Sequence, residues 1–110
     1  MHYAIIISRK AKKEGYYMMY IWELRRRTEE VERRKIREMV ESTMAMVEKK
    51  VEESVSEGFY SAMIENNFYE KYSPFIPKWK KEIEEKIGFY CVKIEWLNEE
   101  DFTLSWEDDE

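Results

Sequence analysis

The chain has one cysteine, one histidine, no glutamine, three glycines and two prolines. The lone Cys91 excludes an internal disulfide and any zinc site built from several cysteines. His2 is equally alone, so no motif that needs two histidines can form, HExxH among them. A Cys91–His2 pair would need the first and third strands to adjoin, and it has no third residue to orient it. A glycine-rich phosphate loop and GxSxG are absent too. Glu99, Glu100 and Asp101 lack the spacing of an EF-hand. The expectation is a protein that is not an enzyme, with no catalytic residue, no metal and no cofactor. The apolar run AIII at 4–7 is too short for a signal peptide or a membrane span, so a soluble, cytoplasmic protein is expected. Scarce glycine and proline leave few breaks, which favours a few long elements. The missing glutamine, beside abundant Lys, Arg and Glu, resembles the bias of hyperthermophile proteins.

What is present is enough for a core. The 110 residues suit a single domain spanning 1–110, 44% of them hydrophobic and 15% aromatic. The net charge of -5 is unevenly spread. Residues 1–37 hold eleven Lys/Arg and five Asp/Glu, a local +6, whereas residues 38–110 hold eight and nineteen, a local -11. Such asymmetry between halves points to an interaction surface.

"HYAIIIS" (2–8) reads as a buried strand. Gly15 allows a turn, and "YYMMYIWEL" (16–24) reads as a second strand that is apolar on both faces until Glu23. That pattern suits a central strand or one that meets a partner. Thr28, Glu29 and Glu30 make a good helix start. Ile36, Val40, Met44, Val47, Val51 and Val55 then recur at helical spacing, and Gly58 is a natural stop. A helix over about 28–57 would be roughly 45 Å long at 1.5 Å per residue. That exceeds the reach of a compact domain whose radius of gyration is about 13 Å. "FYSAMIENNFYEKY" (59–72) favours a second helix, "SPFIP" breaks it, and Trp79, Ile83 and Ile87 stripe a third over 77–87. "FYCVKIEWL" (89–97) and "FTLSW" (102–106) form a hairpin around "NEED". The expected fold is α+β, in the order β-β-α-α-α-β-β. Its two hairpins form one antiparallel sheet, with one long helix and two shorter helices on one face.

Two clusters carry the functional reading. Residues 25–37 hold seven basic side chains in thirteen positions. Lys10, Lys12, Lys13, Arg25, Arg26 and Arg27 are candidate nucleic-acid contacts, since phosphate binding needs unpaired cations. Intrahelical pairs such as Glu30–Arg34 and Glu29–Arg33 would neutralise part of the run. From Glu95 to the end there are eight acidic residues and no basic one, which suits a solubilising tail or a surface that meets a basic protein. The basic half of one copy could also meet the acidic half of another. The apolar stripe of the long helix is widened by Met39 and Met46, and adaptable methionines suit interfaces as well as cores. Ile36, Met39, Val40, Met44, Val47 and Val51 are therefore the expected dimer interface. The favoured expectation is a small non-catalytic protein-binding regulator or inhibitor, homodimeric through its long helix, with an unidentified protein target. A nucleic-acid-binding protein using the basic N-terminal hairpin and helix start is the alternative. No motif of a known family stands in the sequence.

Overall fold

The computed structural model describes residues 17–90 and 92–107. Two compact units are distinguished, residues 1–34 and residues 35–110. The expected strand at 2–8 lies outside the described residues.

Helix α1 runs unbroken over Tyr17–Glu57. Residues 17–24 of the strand expected at 16–24 are therefore the first part of this helix, and Thr28, expected to cap it, is an exposed interior residue. The reason is elongation. No glycine or proline stands between Gly15 and Gly58, and extending a formed helix costs far less than starting another element. A short run of aromatic and aliphatic residues cannot show its own period. Gly58 does end the helix, as its position predicts. Its φ of +84° suits a glycine, and two bonds close the terminus: Gly58 N–H to the Val55 carbonyl (3.1 Å) and Phe59 N–H to the Ser54 carbonyl (2.8 Å).

The reversal delivers the chain into strand β1, Ser61–Ile64. The expected helix at 59–72 is corrected here. Ala62 and Ile64 turn inward while Ser61 and Met63 face out, a period of two that the four residues "SAMI" were too short to reveal. A 3-10 turn, Glu70–Phe75, carries Pro74 and leads into α2, Ile76–Gly88. Pro77 sits in the first turn of α2, where its missing N–H costs nothing. Ile76, Trp79, Ile83 and Ile87 form its buried stripe, close to the expected bounds of 77–87. Strands β2, Lys93–Trp96, and β3, Phe102–Ser105, make the expected hairpin, with Ile94 opposite Leu104 and Trp96 opposite Phe102.

Among the described residues the sheet has three antiparallel strands in the order β1-β3-β2, in place of the expected pair of hairpins, and two α-helices and a 3-10 turn stand where three helices were expected. Its central strand is the late one, β3, paired with β1 through Ala62–Leu104 and Ile64–Phe102. Among the described residues the buried core lies within 35–110. Ile36, Met39, Val40 and Val47 of α1 join Ile76, Trp79, Ile83 and Ile87 of α2 and Ile64, Phe102 and Leu104 of the sheet in one cluster. Each large side chain buried there contributes about 1.5–3 kcal/mol. Aromatic rings run through it edge to face, Phe68 to Trp79 at 4.8 Å and Trp79 to Trp96 at 5.7 Å. Among the described residues no helix is long and apolar enough to cross a membrane.

Candidate functional site

The residues of α1 beyond the core set up the site. Met44, Val51 and Val55 follow one another at steps of seven and four, so they share a side of the helix next to the buried stripe. Ile87 at the end of α2, Tyr90 and Val92 after it, and Leu104 and Trp106 of the last strand region face that side. Between them lies an open, apolar groove of about 890 Å3. Val55 is 55% exposed and Tyr90 68% exposed, although both are large apolar groups. The Trp106 backbone N–H donates to the Tyr60 carbonyl at 3.0 Å, which fixes the last strand against the start of β1. Glu48, Lys49 and Glu52 lie along the helical wall of the groove, a net charge of -1. Residues 35–110 hold ten Lys/Arg and nineteen Asp/Glu, so the groove belongs to a unit of net charge -9.

A buried polar relay ties α1 to α2, to the segment after β1 and to the β2–β3 turn. Thr43 is fully buried and Asn66 nearly so. The Trp79 indole Nε1–H donates to Thr43 Oγ1 (3.1 Å), and the Thr43 hydroxyl donates to Asn66 Oδ1 (2.9 Å). Asn66 Nδ2 donates to the Glu100 carbonyl (2.8 Å), and the Asn66 backbone N–H donates to Asp101 Oδ1 (2.9 Å). Phe68 N–H donates to Glu100 Oε1 (3.1 Å). Asn98 closes the hairpin turn by accepting the N–H groups of Glu100 and Asp101, each at 2.8 Å. The acidic turn thus does structural work: Glu100 and Asp101 hold the segment after β1. Among the described residues no buried side-chain polar atom lacks a partner, and no group of three His, Cys, Asp or Glu could hold a metal.

The basic cluster sits on the first half of α1. Arg25, Arg26 and Arg27 are exposed there, whereas Lys10, Lys12, Lys13, His2 and Cys91 lie outside the described residues. Arg26 is clamped between Glu23 and Glu30, each at 2.7 Å. Glu30 therefore pairs backwards with Arg26 rather than forwards with Arg34. Arg33 and Arg34 are exposed and hold no ion pair among the described residues. The hydrogen bond from Arg26, followed by its charge, holds the Glu23 carboxyl below its ordinary value. The same hydrogen bond, then the charges of Glu23 and Glu30, holds the Arg26 guanidinium above its own.

The six stripe residues divide. Ile36, Met39, Val40 and Val47 are buried in the chain's own core, while Met44 and Val51 are half-buried and line the groove. The groove itself was not foreseen as such. Its signal was the width of the apolar stripe, with Val55 continuing past the residues that the core consumes. The relay was missed because Thr43 and Asn66 look like ordinary surface residues in sequence. The chain matches no protein-family model, no curated protein and no solved structure.

Proposed function

We propose that the chain is a small, non-catalytic protein-binding regulator that receives an amphipathic helix of a protein partner in the groove beside α1. The observation that carries this reading is the groove itself, a concave apolar surface with exposed Tyr90 and Val55 and an acidic edge. Interfaces favour aromatic residues and methionine at their centres, and Met44, Tyr90 and Trp106 supply them. Helix-in-groove recognition needs such a trough and a partner with apolar residues at steps of three and four. The acidic edge favours a partner whose polar face is basic.

The test is titration calorimetry with a synthetic helix that carries leucines on one face and arginines on the other. The chain binds it with micromolar affinity, about -8 kcal/mol. Tyr90→Ala weakens that binding by about 2 kcal/mol, as loss of an interface anchor does. No heat of binding to the intact chain, or equal binding by a Val51→Asp variant, refutes the reading.

One observation favours a second reading, nucleic-acid binding through the first half of α1: Arg33 and Arg34 are exposed and unpaired among the described residues, beside exposed Arg25 and Arg27. A mobility-shift assay separates the two. Binding that weakens steeply with salt and is lost when Arg25, Arg26 and Arg27 become alanine supports the nucleic-acid reading.

A further inference from the structure

We propose that the helix the groove receives comes from a second copy of this chain, the basic first half of its α1, laid antiparallel along the groove wall. The inference rests on the docking reading above and supplies its partner.

Charge carries the argument first. Over residues 17–37, α1 holds seven Lys/Arg and four Asp/Glu, a net +3; over residues 38–57 it holds two and six, a net -4. Two copies laid antiparallel set the positive stretch of one against the negative stretch of the other, and parallel packing would set like against like.

Spacing carries it further. Trp22, Arg26 and Arg33 succeed one another at steps of four and seven, so they share one side of the helix. Glu52, Glu48 and Glu41, read backwards, repeat those steps. Run antiparallel, the two series match residue for residue: Trp22 beside Glu52, Arg26 beside Glu48, Arg33 beside Glu41. Residue 52 lies on the groove between Val51 and Val55, so the indole of Trp22 meets the apolar trough while both arginines meet carboxylates. Trp22 is 64% exposed in the single chain, an unusual state for the largest apolar side chain. Tryptophan and arginine are also the residues most often found as interface anchors. All five charged groups of this register are exposed, so none must leave the core to make the contact.

The test is a charge swap in the full chain. One variant carries Arg26→Glu and Arg33→Glu; the other carries Glu41→Arg and Glu48→Arg. Arginine and glutamate have similar helix propensity, so both variants keep the helix, which circular dichroism verifies. Light scattering then reads the mass. The unaltered chain self-associates, and raising the salt weakens the association. Each variant alone is at least tenfold weaker, and an equal mixture of the two recovers the original mass. Trp22→Ala, which alters no charge, also weakens association at least tenfold. An intact chain that stays monomeric at 100-fold the concentration needed for the synthetic helix, or variants whose mixture associates no better than either alone, overturns the proposal. If the synthetic helix still binds in that case, the groove takes a helix from another protein; if it does not, the docking reading falls as well.

Discussion

Thr43 is the residue whose loss the structure prices best. It is fully buried, it accepts the Trp79 indole N–H, and it donates to Asn66 Oδ1. Thr43→Val keeps the shape and removes the hydroxyl. The indole N–H and the asparagine oxygen then lose the one side-chain partner each has among the described residues, and neither can reach water. A buried polar group left unsatisfied costs about 1–3 kcal/mol, so two cost about 2–6 kcal/mol. The added methyl returns at most about 0.8 kcal/mol. The net loss is about 1–5 kcal/mol, set against the ~5–15 kcal/mol that holds an ordinary domain together. The assay is urea unfolding followed by tryptophan fluorescence, with Ser42→Ala as a control on the exposed neighbouring position of α1. The control should stay within about 0.5 kcal/mol of the parent, as surface changes do. Thr43→Val combined with Trp79→Phe should cost less than the sum of the two single changes, because the phenylalanine has no N–H to orphan. A Thr43→Val variant as stable as Ser42→Ala would refute the relay as a source of stability.

Other consequences are equally direct. Ile83 is fully buried between α2 and the sheet, so Ile83→Ala should cost about 2–5 kcal/mol in the same urea assay. Gly58→Ala meets no atom within 4 Å but must hold a φ of +84°, so the cost is backbone strain alone, about 1–2 kcal/mol by thermal unfolding. The Glu23 carboxyl is held low by Arg26, so carbon-detected NMR titration should place its midpoint below the ordinary 4.5. A lowered carboxyl favours the folded helix above its unfolded value and loses that contribution as pH falls through the folded one; the Glu23–Arg26 bond should therefore persist at pH 5 and be lost in stronger acid. Because that pair is exposed, raising the salt should move the midpoint back towards 4.5.

The elements that were legible in sequence had their own punctuation. Pro77 opens α2, Gly58 closes α1, and "NEED" turns the hairpin between β2 and β3, so those boundaries were close. The errors fell where punctuation was missing. Residues 16–24 look like a strand in isolation, yet 17–24 are helical because nothing separates them from the helix that follows. Residues 61–64 look helical in isolation and are a strand because β3 offers a ladder in register. That pairing joins residues some forty positions apart, and no local pattern encodes it. The site divides the same way. The breadth of the α1 stripe announced surplus apolar surface, but which residues the core would consume depended on α2 and the sheet. Met39, expected off the main stripe, is almost fully buried, while Val55, on the stripe, stays open.

The docking of one copy's helix into another's groove is tested most directly by paramagnetic broadening between chains. A chain with Cys91→Ser and Glu52→Cys carries a spin label at residue 52 and no nitrogen-15. It is mixed with an equal amount of unaltered chain labelled with nitrogen-15. The indole N–H signal of Trp22 in the labelled chain should broaden and recover when the nitroxide is reduced or the salt is raised. A Trp22 signal that stays sharp in the mixture, at concentrations where light scattering shows association, would contradict the antiparallel contact.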